Sequence, residues 1–85
     1  MAWRLEISNR VESFVKKHPE LAPKMRDIFR ILMNDPYNNN LDIKKLSNVS
    51  NGYRVRFGKY RLLYRLFDDE KLIKTTKADT RGDIY

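Results

Sequence analysis

Residues 53–64 read Tyr53-Arg54-Val55-Arg56-Phe57-Gly58-Lys59-Tyr60-Arg61-Leu62-Leu63-Tyr64. Side chains on a β-strand alternate between the two faces. Read as two strands joined at Gly58-Lys59, the run puts Tyr53, Val55 and Phe57 on one face and Arg54 and Arg56 on the other. Past the turn, Tyr60, Leu62 and Tyr64 share a face, and Arg61 and Arg65 take the opposite one. The pattern predicts a hairpin with an aromatic and aliphatic side for a core and an arginine side left over. Arginine offers a planar fork of donors that matches phosphate geometry, and it stays charged at any working pH. Several such forks on one half-open sheet face form a cradle for a polyanion.

Working outward, Trp3, Leu5 and Ile7 alternate with Arg4 and Glu6, the signature of a short half-buried strand. Asn9 with Glu12 three residues later resembles a capping box. Val11, Phe14, Val15 and His18 then fall at helical spacing until Pro19, which disfavours helix in the residue before it. A second helix opens near Glu20–Pro23, carries Leu21, Met25, Ile28, Phe29 and Leu32 on one stripe, and ends at Asn34-Asp35-Pro36. Tyr37–Asn40 is turn-like, Leu41–Leu46 fits a short helical turn, and Ser47–Gly52 reads as a loop. After the hairpin, Asp68-Asp69-Glu70 forms an acidic turn before a strand near 71–78. The expectation is an α+β fold, with an N-terminal strand, an antiparallel helix pair and then a three-stranded antiparallel meander. Residues 1–85 are expected to form a single domain.

The 85 residues carry 18 Lys and Arg against 11 acids, a net charge of +7. That favours an acidic partner, with nucleic acid first. The basic residues are spread along the chain, so a basic patch must come from folding. The absence of cysteine excludes disulfides and thiolate chemistry, and His18 is the only histidine, so a histidine-rich metal site is excluded as well. No apolar run is long enough for a membrane span, which points to a cytoplasmic protein without a membrane partner.

This order of elements resembles the RelE/ParE superfamily of toxins from toxin–antitoxin systems. Two places carry the likeness. One is the hairpin ending in Gly58-Lys59-Tyr60-Arg61-Leu62-Leu63-Tyr64; the other is the ending Arg81-Gly82-Asp83-Ile84-Tyr85, an arginine followed four residues later by tyrosine. The resemblance implies a β-α-α-β-β-β fold and a toxin of a type II system held by a cognate antitoxin. For the RelE-like branch it implies an endoribonuclease that cuts messenger RNA on the ribosome and inhibits translation without metal or cofactor. A ParE-like poison of DNA gyrase and a non-catalytic RNA-binding module are the alternatives.

Cleavage by the ribose 2′-hydroxyl needs a proton taken from that hydroxyl, charge stabilised on the phosphoryl oxygens, and a proton given to the departing 5′-oxygen. By resemblance, Arg61 takes the charge-stabilising role, where loss of one such group costs about 2.7–4 kcal/mol of barrier. Arg54 and Arg56 match a basic pair that holds neighbouring phosphates, with Arg56 also a catalytic candidate. Arg81 matches a residue on the leaving-group side. Tyr85 matches a late tyrosine whose ring would stack on a base for about 1–3 kcal/mol. Lys59, Lys44 and Lys45 complete the expected RNA contacts. Relatives often carry lysine in the Arg54/Arg56 pair and histidine where this chain has Thr80. The general base is therefore unassigned, with Lys77 the first candidate, followed by Lys59 and Tyr85.

Overall fold

The computed structural model describes residues 3–80. Its elements run β1 (Arg4–Glu6), α1 (Asn9–Lys17), a 3-10 turn (Pro19–Leu21), α2 (Ala22–Asn34), β2 (Asp42–Lys45), β3 (Gly52–Phe57), β4 (Tyr60–Phe67) and β5 (Leu72–Thr80). The strands make one sheet in the order β1-β5-β4-β3-β2. β1 runs parallel to β5, and every other pairing is antiparallel. The expected strand, helix pair and meander are all present. Among the described residues no helix is long and apolar enough to cross a membrane.

The segment 41–46 departs from the expectation of a helical turn. Residues 42–45 form β2, which pairs Asp42 with Arg56, Ile43 with Val55, Lys44 with Arg54 and Lys45 with Tyr53. Six residues gain little from an isolated helical turn, because nucleation is costly. A waiting strand edge satisfies their backbone groups instead. The helix start also differs: Ser8, not Asn9, is the N-cap, its Oγ accepting the Val11 N–H at 3.2 Å. β1 stops at Glu6, which leaves Ile7 half exposed rather than inside.

Val11 from α1 and Met25, Ile28 and Leu32 from α2 pack against Val55, Leu62, Tyr64, Leu66 and Ile73 of the sheet. Each such side chain contributes about 1.5–3 kcal/mol by leaving water. His18 caps α1 and sits against Phe14 and Tyr60, with ring centroids 4.5 and 5.9 Å away, so it is a packed residue. Two glycines are required locally. Gly58 turns the hairpin at φ +60°, and a Cβ on Gly52 would meet Val49 Cγ1 at 2.6 Å.

β5 contains the feature that shapes the other face. Leu63 pairs with Lys77 but Tyr64 pairs with Thr75, so Thr76 is an extra residue, a β-bulge. Ile73 and Thr75 point into the core; strict alternation would send Lys77 and Asp79 after them. The bulge reverses the parity, burying Ala78 and turning Lys77 and Asp79 to the face away from the helices. Side chains secure it. Thr76 Oγ1 donates to the Leu63 carbonyl at 3.1 Å, and Ser8 Oγ donates to the Thr76 carbonyl at 3.0 Å. Thr75 Oγ1 accepts the Ser8 N–H at 3.1 Å and donates to the Glu6 carbonyl at 3.0 Å.

Candidate nucleic-acid interface

Register sets the layout of the face opposite the helices. One cross-strand row runs Lys44, Arg54, Leu63, Lys77, and the next runs Asp42, Arg56, Arg61, Asp79. In the second row two arginines stand directly opposite each other, an arrangement that repels. An acid on each outer side offsets the repulsion. Arg56 Nε donates to Asp42 Oδ2 at 3.0 Å, and both side chains are about half exposed. Arg61 is held more closely. Its Nε donates to Asp79 Oδ1 at 2.8 Å and its Nη2 to Asp79 Oδ2 at 3.4 Å, with only 22% and 19% of the two side chains exposed. Lys77 Nζ reaches the same Asp79 Oδ2 at 3.4 Å. Burial works to raise the Asp79 carboxyl, but its hydrogen bond and charge contact with Arg61, and then those with Lys77, hold it below the usual carboxylate range.

Arg54 has a different environment. Its row neighbours are Lys44 and Leu63, so no acid lies directly beside it. Its Nη1 is buried without a hydrogen-bond partner among the described residues. A buried guanidinium nitrogen in that condition is costly. The structure therefore brings Arg54, Arg56, Arg61 and Lys77 together on one face.

The other candidates separate. Lys44 shares the arginine face, but Lys45 pairs with Tyr53 and lies on the opposite side, lining a cavity with Tyr37, Asp68, Asp69 and Glu70. Lys44 and Lys45 therefore face opposite sides of the sheet. Lys59 is at the hairpin tip, its Nζ 5.8 Å from the centre of the Tyr60 ring. Arg81 and Tyr85 lie outside the described residues. No cluster of potential metal ligands occurs among the described residues.

Asp79 and Asp42 are the residues that sequence reading missed. Lys77 and Asp79 fall at core parity after Ile73 and Thr75, a hint of irregularity on this strand, but only register shows that Asp79 meets Arg61.

No family model matches the chain. A curated protein of Methanocaldococcus jannaschii named "Putative toxin RelE1" is 31% identical over 87 residues, an alignment covering 100% of this chain and 97% of the relative. The RelE–RelB complex of Pyrococcus horikoshii superposes with a TM-score of 0.74 at 29% identity, covering 96% of this chain and 98% of its counterpart. The toxin–antitoxin complex RelBE2 of Mycobacterium tuberculosis matches in fold, with a TM-score of 0.75 at 23% identity over 95% of this chain and all of the other. With 31% identity along its full length to a protein named as a RelE toxin and this sheet-and-helix order in place, the chain belongs to the RelE family of toxins from type II toxin–antitoxin systems.

Proposed function

We propose that the protein is a ribosome-dependent messenger RNA endoribonuclease that arrests translation in the cytoplasm. The observation that carries the reading is the clustering of Arg54, Arg56, Arg61 and Lys77 on the one sheet face that the helices leave open. In the proposed reaction the substrate 2′-oxygen attacks the adjacent phosphorus while losing its proton. The bond to the 5′-oxygen breaks, and that oxygen takes up a proton. The products are a 2′,3′-cyclic phosphate and a free 5′-hydroxyl.

Arg61 stabilises the charge on the phosphoryl oxygens with the guanidinium edge that Asp79 does not occupy. Arg54 and Arg56 hold flanking phosphates. Lys77, beside Asp79 on this face, is the first candidate to take the proton from the 2′-hydroxyl. Arg81 and Tyr85 take the leaving-group and base-stacking roles that the family pattern gives them. The ribosome supplies substrate positioning beyond what so small a surface provides.

A cognate antitoxin is the proposed partner: a flexible, acidic-leaning chain with an amphipathic helix, drawn in by electrostatic steering and anchored by apolar contacts. Matched structures are RelE–RelB complexes of other organisms, which supports that assignment. The gyrase-directed alternative gains no support from the relatives. Primer extension on messenger RNA bound to purified ribosomes tests the reading: discrete cuts at the decoding site are expected, and intact message with inhibited gyrase supercoiling would replace it.

A further inference from the structure

An acid beside the arginines of a polyanion-binding face works against binding, so Asp79 requires an explanation. Resting on the nuclease reading, we propose that Asp79 is a positioning residue: it grips Arg61 by the Nε–Nη2 edge and fixes the Nη1 edge as the one presented to the scissile phosphate.

Four observations support this. The contact is two-pronged, at 2.8 and 3.4 Å, so it fixes the plane of the guanidinium as well as its distance. Among the described residues it is the least exposed ion pair of the open face, whereas Asp42 holds Arg56 by a single bond on half-exposed side chains. Asp79 also reaches Lys77, so one carboxylate sets the spacing of two cations beside the reacting position. Finally, the Thr76 bulge is what delivers Lys77 and Asp79 to this face. Bulges beside functional sites re-aim side chains in this way.

An unheld arginine would sample several rotamers, and each would have to be frozen out when charge develops on the phosphoryl oxygens. Arg61 held from behind needs no such reorganisation. Its ion pair with Asp79 weakens its attraction for ground-state phosphate, so the benefit falls on the chemical step rather than on binding.

The test is a double-mutant cycle on ribosome-bound messenger RNA, with Asp79→Asn, Arg61→Ala and the combined variant. Asp79→Asn is expected to lower kcat by about tenfold or more while KM changes by less than about threefold. In the Arg61→Ala background the same substitution is expected to cost less than about twofold, since there is no guanidinium left to hold. Asp79→Glu should recover part of the rate. Equal losses in both backgrounds, or faster cleavage by Asp79→Asn, would overturn the proposal. Nitrogen-15 NMR of the Arg61 Nε–H provides a readout apart from catalysis. Its hydrogen exchange should be slow in the wild type and accelerate in Asp79→Asn, and unchanged exchange would also overturn it. If the wild type cleaves nothing, the nuclease reading fails, and the NMR signal still decides whether Asp79 holds Arg61.

Discussion

Arg54 and Arg61 lie in adjacent rows of the same sheet face but in different surroundings. Arg61 has a carboxylate behind it; Arg54 has a buried Nη1 with no partner among the described residues. Truncating Arg54 therefore removes an unsatisfied group from the free protein. Arg54→Ala should leave stability unchanged or raise it by about 1 kcal/mol, while weakening RNA binding by about 1.5–3 kcal/mol, the range for a charged hydrogen bond. Chemical denaturation and KM for ribosome-bound message measure the two sides. Asp79 makes a pH prediction. Its carboxyl is held low in the folded state, so its contribution is present above the unfolded carboxylate pKa of about 3.9 and is lost as pH falls through the lower folded value. Wild type should exceed Asp79→Asn in stability at pH 7, and the difference should vanish in strong acid. The arginines of this face were legible in the sequence because alternation alone assigns Arg54, Arg56 and Arg61 to one side. Their partners were not, since Asp42 and Asp79 become neighbours of arginines only through strand register.

Elements built from strong patterns came out as read, and those decided by a neighbour did not. The α2 stripe buries Met25, Ile28 and Leu32 as its spacing requires, and the hairpin turns at Gly58. Residues 42–45 become a strand because β3 presents an edge to them, which no local signal announces. The cap of α1 is similar. Ser8 wins over Asn9 because its hydroxyl serves twice, accepting the Val11 N–H and donating to the bulged carbonyl of Thr76. Ser8→Ala should cost about 0.5–2 kcal/mol for the cap alone. Asn9→Ala, which removes an exposed first-turn side chain, should stay within about 0.5 kcal/mol. Equal effects in urea denaturation would contradict the assignment. Because Ser8 also secures the bulge that presents Lys77 and Asp79, Ser8→Ala is further expected to slow cleavage without touching any group near the substrate.

At the scale of the whole molecule, the sheet divides the labour between its faces. Two helices cover one side with Val11, Met25, Ile28 and Leu32, and the opposite side keeps its charges available. Fold and family were readable from element order and the 53–64 hairpin. The layout of the candidate site was readable only as far as side chains that alternation puts on one face. The most direct test of the account is primer extension on purified ribosome–messenger RNA complexes with wild type and Arg61→Ala, both verified as folded by circular dichroism. The account predicts discrete decoding-site cuts by the wild type and a loss of about 10²–10³-fold in rate for Arg61→Ala, the size of one preorganised charge contact. Intact message with the wild type, or equal cutting by a folded Arg61→Ala, would contradict it.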